Sequence, residues 1–343
     1  MDTDGASDIF DAQFAVLTGF KAFCWQRRLF RRFVAGDMPA SLDLPTGLGK
    51  TSVMAVWLIA RAYGADLPRR LVYVVDRRAV VDQATEEAKK LRNALEGTAE
   101  HFAALDKTTR AQAMQAAAEL KKRLGFDNDR QFPISTLRGA HVDNREWLED
   151  PGAPAMIVGT VDMIGSRLLF EGYGVSRRMR PYQAGLLGVD TLIVLDEAHL
   201  VPPFAHLLRA IAQDAALWPR DPANRALLPT FVFLPLSATQ RDSGGCEHEQ
   251  VPLRLEEEDK SDAIVARRLD ARKRLRLKPL AGKGQDKQLA EAAWLLANKD
   301  GEFSRVVVFC DRRDGTDDGG GPSAQGAAGG RHCRARASPR ADR

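Results

Sequence analysis

Contiguous apolar runs alternate along this chain with longer stretches in which apolar positions return every three or four residues. "LVYVVD" (71–76), "AMIVGT" (155–160), "TLIVLD" (191–196) and "TFVFLPL" (230–236) are continuous apolar runs, the signature of strands buried on both faces of a sheet. "ASLDL" (40–44), "FPIST" (132–136) and "RVVVFCD" (305–311) are further strand candidates. Between them, the stretch from about Thr51 to Tyr63, "RRAVVDQATEEAKKLRNAL" (77–95) and "QLAEAAWLLAN" (288–298) carry helical spacing. This alternation predicts an α/β domain with a mostly parallel sheet flanked by helices.

Residues 96–130 are rich in alanine and charge and read as a helical insert, and "RRLDARKRLRLKPL" (267–280) reads as a basic connector. The pattern stops after Asp314. Residues 315–343 contain no Leu, Ile, Val, Phe, Met, Tyr or Trp, and such a segment buries too little surface to offset its chain entropy. It reads either as a natural disordered tail or as the product of a GC-rich gene that has lost its reading frame; the second is the expectation. The expected organisation is a first domain over residues 1–256, a basic linker over 257–287, the start of a second domain over 288–314, and a disordered, frameshifted tail over 315–343.

Composition narrows the classes. At 44% hydrophobic and 28% charged, the 343 residues read as a soluble globular protein. The acidic start "MDTDGASD" lacks the apolar stretch of a secretory signal, and "SVMAVWLIARAYG" falls short of the ~20 residues that span a bilayer, so no membrane partner is expected. Cys24, Cys246, Cys310 and Cys333 are scattered without a CxxC pair, which argues against a disulfide framework or zinc site and for a cytoplasmic setting. Half of the net charge of +4 falls after residue 314, so an argument for nucleic acid must rest on particular residues.

"LDLPTGLGKTS" (42–52) joins a strand to a helix. Gly47 and Gly49 permit a bend tight enough for backbone N–H groups to converge on a phosphate, within a loop of Leu44, Pro45, Thr46, Gly47, Leu48, Gly49, Lys50 and Thr51. In that reading Lys50 reaches the β- and γ-phosphates of ATP and the Thr51 hydroxyl ligates Mg²⁺. Leu44 departs from the pattern, which places glycine there. "TLIVLDEAH" (191–199) delivers Asp196 and Glu197 to a strand tip, Asp196 suited to hold Mg²⁺ and Glu197 to orient and deprotonate an attacking water. His199 follows, placed to meet the "LSAT" segment, whose Ser237, Ala238 and Thr239 end the next strand and are suited to couple nucleotide state to the acidic strand.

Gln26, LPTGLGKT, LDEAH and LSAT, in this order, resemble a DExH-box helicase of superfamily 2. "DLPTGLGKT", "VDRRAVVDQ", "GTVDMI" and "LDEAHL" are very similar to the CRISPR-associated helicase–nuclease of type I systems, especially the type I-G (formerly I-U) branch; the resemblance spans about residues 20–314. It implies RecA-like lobes, with a first lobe that binds ATP and a short stub of a second. It also implies ATP-driven translocation on single-stranded DNA opened by a guide-RNA complex, with Gln26 on the adenine edge. Arg77, Arg78, Arg138 and Thr160 would then contact the DNA backbone. No histidine is followed by aspartate, so the nuclease signature of that family is missing, and its second-lobe arginines have no counterpart after Asp314. The expectation is a truncated copy with weak or no ATPase activity. A superfamily 2 repair or restriction translocase, and a non-catalytic ATP- and DNA-binding remnant, stand as alternatives.

Overall fold

The computed structural model describes residues 3–126, 130–138, 141–142, 145–213, 221, 223–224, 230–237, 251–271, 285–297, 306–309 and 332–335. The chain divides into two compact units, residues 1–271 and 272–343.

The first unit is an α/β domain built on one sheet. Its strands are β1 (Leu42–Asp43), β2 (Arg70–Val75), β3 (Ile134–Arg138), β4 (His141–Val142), β5 (Ala155–Thr160), β6 (Thr191–Leu195), β7 (Phe231–Ser237) and β8 (Leu253–Arg254). Their spatial order is β4-β3-β5-β2-β6-β7-β1-β8. Every pairing is parallel except β3 with β4. The expected parallel sheet is therefore present, and the domain is RecA-like.

Alternation along β2 and β6 divides the core in two. Leu71, Tyr73, Val75, Leu192 and Val194 face one side, and Val72, Val74, Ile193 and Leu195 the other. The first side is covered by α1 (Thr3–Thr18), α2 (Cys24–Val34), α3 (Val53–Ala62), α4 (Arg78–Leu95) and α5 (Lys107–Arg123). The second is covered by α6 (Glu146–Glu149), α7 (Val161–Leu168), α8 (Arg180–Gly188) and α9 (Pro202–Gln213). Helix α3 is buried almost all round, which is why its sequence is apolar without a polar face.

Several elements differ from the sequence expectation. Helix α1 was not expected; its signal is the spacing of Phe10, Phe14 and Leu17, all buried, with the Phe10 ring stacked on Phe30 at 4.6 Å. Within the insert, α5 starts where the Asp106 carboxylate accepts hydrogen bonds from the N–H groups of Thr108 and Thr109. The first unit runs past residue 256: α10 (Glu257–Lys260) and α11 (Ala263–Leu269) stay with it, tied by Arg28 Nη2 donating to Asp259 Oδ2 at 2.5 Å. That ion pair is sheltered, with Asp259 1% exposed, which explains why part of the presumed linker folds back.

The second unit contains α12 (Gln285–Ala297) and strands β9 (Val306–Phe309) and β10 (His332–Ala335), paired antiparallel. Strand β10 lies within the segment expected to be disordered. Backbone pairing to a free strand edge does not require apolar side chains, so composition alone did not reveal it. No described helix is long and apolar enough to cross a membrane.

The lower end of the first sheet is held by two neighbouring arginines. Arg70, 4% exposed, donates to three carbonyls: Leu186 O at 2.8 Å, Pro151 O at 2.7 Å and Val189 O at 2.7 Å. Arg69 pairs with the buried Asp190. Arg70→Met is expected to destabilise the chain by about 2–4 kcal/mol, since it removes three hydrogen bonds made by a buried guanidinium. Urea unfolding of both proteins measures this; a change below about 0.5 kcal/mol would contradict it.

Candidate functional site

In a parallel sheet the strands end on one edge, and here β1, β6 and β7 bring their carboxyl ends together with β7 between the other two. The loop after β1 carries Gly47 at φ +85° and Gly49 at φ +72°, left-handed conformations that favour glycine. A side chain at Gly47 would also collide with the guanidinium of Arg268, on α11. Lys50 to Ser52 form a turn of 3₁₀ helix that leads into α3, so the expected helix opens more tightly than an α-helix.

Leu44 is fully buried and its N–H bonds to Ser237 O at 3.0 Å. This position ends the strand inside the core, which accounts for leucine where the phosphate-loop pattern has glycine. Leu48 is also buried, whereas Thr46, Gly47 and Gly49 are exposed at the rim and Pro45 is half-buried. The cavity there has a volume of about 370 Å³ and is lined by Thr46, Gly47, Gly49, Lys50, Thr51, Asp196 and Glu197. A larger open cleft of about 970 Å³ lies by α5 and is lined in part by Glu96 and Lys121. Those two pair with each other at 2.7 Å, and the cleft has none of the phosphate-loop geometry.

Lys50, 7% exposed, donates from Nζ to Glu197 Oε1 at 2.9 Å across 147 positions of sequence. Glu197 is left-handed at φ +48°, ψ +48°, an uncommon conformation for a non-glycine residue that turns the chain sharply after Asp196. Its Oε2 is buried and has no hydrogen-bond partner among the described residues; His199 Nδ1 approaches it at 3.5 Å without bonding geometry. His199 Nδ1 also meets Ser237 Oγ at 3.5 Å, so the structure brings the acidic strand and the end of β7 together. Ala238 and Thr239 lie outside the described residues.

Asp196 Oδ1 accepts from the Glu197 N–H at 3.0 Å and Oδ2 from Tyr73 Oη at 2.9 Å. Burial pushes the Asp196 carboxyl above the usual carboxylate range, against the opposing pull of Tyr73 and Lys50. Burial likewise raises the Tyr73 phenol well above its ordinary value, with the Asp196 charge adding to it. Tyr73 is a residue that motif reading missed; its side chain is hidden in an apolar strand, where nothing in the pattern separates a hydroxyl with a task from a packing aromatic.

Other expected residues are placed as follows. Gln26 is buried, accepting from Phe23 N–H at 2.8 Å and donating to Ser52 Oγ at 2.6 Å, so it braces the start of α2 against the phosphate loop. Thr160 is buried and its hydroxyl caps α7 through Met163 N–H. Arg138 is ion-paired with Asp82. Arg77 is exposed at the N-cap of α4, and Arg78 is that helix's first residue. The expected backbone-contacting set therefore divides, with Arg77 accessible and Thr160 and Arg138 engaged within the fold.

Hard oxygen donors suit magnesium, and Thr51 with Asp196 supplies two at the cavity wall. Glu197 Oε2 beside them, without a hydrogen-bond partner among the described residues, leaves an acceptor for a water. The residues present thus fit a magnesium-bound triphosphate.

The family model described as "Type III restriction enzyme, res subunit" matches residues 20–216. This chain belongs to the type III restriction enzyme res-subunit family. The match takes in the phosphate loop, β2, β5 and the acidic tip of β6, so the cavity just described belongs to a helicase-like domain of superfamily 2. Solved helicase structures are similar to this chain. The DUF1998 helicase MrfA bound to DNA and AMPPNP is 16% identical, with TM-score 0.41, over 68% of this chain and 26% of MrfA. The UvsW helicase from bacteriophage T4 is 15% identical, with TM-score 0.34, over 65% of this chain and 54% of UvsW. The DEAD-box helicase Mss116 bound to ssRNA and UDP-BeF is 13% identical, with TM-score 0.38, over 71% of this chain and 42% of Mss116. This chain thus spans about a quarter to a half of the length of these helicases. No curated protein matches it.

Because the raised Asp196 carboxyl must be ionised to hold a metal, metal-dependent binding of a nucleotide is expected to fail on acidification at a higher pH than an ordinary aspartate would dictate. Titration of a fluorescent ATP analogue with and without Mg²⁺ across pH 3–8 reads it. A midpoint at or below 3.8, the ordinary value, would contradict the assignment.

Proposed function

We propose that the first unit is the nucleotide-binding lobe of an ATP-driven superfamily 2 DNA translocase. The observation that carries this reading is the meeting of Lys50 with Glu197, beside Asp196, at one cavity wall. In the resting arrangement Glu197 neutralises Lys50. A triphosphate takes the lysine over, because its β- and γ-oxygens carry more charge and are also held by the loop N–H groups. Glu197, released, would be free to orient and deprotonate a water, and Thr51 and Asp196 would hold a magnesium ion, which would supply charge neutralisation on the phosphates. Lys50 stabilises charge on the transferring phosphoryl group.

The DNA would be held by its phosphates, since a motor that moves along a strand must ignore sequence. Arg77, exposed at a helix N-terminus, is the best-placed contact, with Arg78 beside it. Turnover in such motors depends on an arginine brought from a second lobe, worth roughly 10³–10⁵ in rate. We read α12 and β9 as the beginning of that lobe.

Within superfamily 2, we propose the interference helicase of a type I CRISPR system, acting with a guide-RNA complex. The wording of "DLPTGLGKT", "VDRRAVVDQ", "GTVDMI" and "LDEAHL" supports this. The family match favours a second reading, a restriction-type DNA translocase that shares the same lobe.

The test is equilibrium binding of a fluorescent ATP analogue, with Mg²⁺, to the wild-type chain and to Lys50→Ala. At least a tenfold loss of affinity is expected, with an unchanged circular dichroism spectrum. Equal affinity would overturn the site. Single-stranded DNA binding is expected to be blind to sequence and to weaken steeply with salt, and Arg77→Ala should lower its salt slope by about one unit. Affinity that is insensitive to salt would refute the backbone-contact reading.

A further inference from the structure

We propose that Tyr73 is a positioning residue for metal-dependent nucleotide binding: it holds the Asp196 carboxylate in one arrangement before any ligand arrives. The inference rests on the nucleotide-site reading above and goes beyond it, because Tyr73 lies outside every motif that defines the site.

The residue occupies the middle of β2, between Leu71 and Val75 on the same face of the sheet. It is fully buried, in a cluster otherwise made of apolar side chains. For packing alone a phenylalanine would serve, and a buried hydroxyl is unfavourable unless it is bonded. Here the hydroxyl is bonded at the site. It donates to Asp196 Oδ2 at 2.9 Å. Strand register makes this possible: Tyr73 sits opposite Val194 of β6, two residues before Asp196, so its ring extends along the sheet toward the strand tip.

The consequence is geometric. Asp196 Oδ1 is already fixed by the Glu197 N–H, so with Tyr73 on Oδ2 both carboxylate oxygens are held and the plane of the group cannot swing. The Tyr73 hydroxyl thereby ties β2, the first strand after the phosphate loop, to the tip of the acidic strand. Residues that orient metal-holding carboxylates in this way alter metal affinity by roughly 10- to 100-fold when removed.

The experiment measures binding of a non-hydrolysable ATP analogue to the full chain at varied Mg²⁺, and separately in EDTA. Tyr73→Phe is expected to raise the Mg²⁺ concentration for half-maximal binding about tenfold while leaving the affinity in EDTA unchanged. Leu71→Ala, two residues earlier on the same face, is the packing control, expected to lower the melting temperature without moving the Mg²⁺ requirement. An unchanged Mg²⁺ requirement in Tyr73→Phe overturns the proposal and leaves the nucleotide site standing. An equal shift in Leu71→Ala overturns it as well, since the effect would then be one of packing. A wild-type chain that binds no nucleotide in either condition overturns the site reading and this inference with it.

Discussion

Lys50 and Glu197 meet at 2.9 Å in a place where neither could remain comfortably alone. Lys50 is almost fully buried, and an unpaired buried ammonium is strongly disfavoured, so the contact fixes how the phosphate loop sits against the tip of β6. The rest of the site is arranged around that constraint. Two glycines with positive φ let the loop bend into reach of the acid, and Glu197 accepts a strained backbone to face it. The pair is also exchangeable: a polyphosphate offers the lysine more negative charge than one carboxylate does, so the interaction that closes the resting site is one a nucleotide can replace.

The sheet makes this arrangement affordable. Parallel strands present their carboxyl ends on one edge, so loops far apart in sequence share a neighbourhood without a long excursion of chain. With β7 between β1 and β6, Ser237 comes to rest against His199 and Leu44 bonds back to β7, so a change at the phosphate loop has a short bonded route to the end of β7. Tyr73 adds a third strand to that route from beneath. The opposite end of the sheet is bound differently: Arg70 stitches three carbonyls and Arg69 holds Asp190, a rigid base that leaves adjustment to the other edge.

Much of the fold was legible in the chain. Strands β5 and β6 were expected within a residue of where they lie, because a continuous apolar run of four to six residues bounded by polar ones has few other stable fates. The two-residue strands β4 and β8 were not legible, since they exist only through their neighbours. Helix α1 was overlooked in spite of its regular aromatic spacing, and the fold-back of residues 257–271 hid within a highly charged stretch because its anchor, Arg28 to Asp259, joins distant positions.

The chain's order alone determined that a glycine turn with Lys50 follows one strand and that Asp196 and Glu197 end another, since both depend on local backbone chemistry and apolar periodicity. Tertiary structure decided what those residues do to each other. It set Gln26 and Thr160 to bracing and capping, committed Arg138 to Asp82, left Arg77 exposed, and turned Tyr73 from a packing aromatic into a donor to Asp196. The reason is that a side chain's task is fixed by which partners come within about 3 Å of it, and strand order and register, not sequence separation, set those distances.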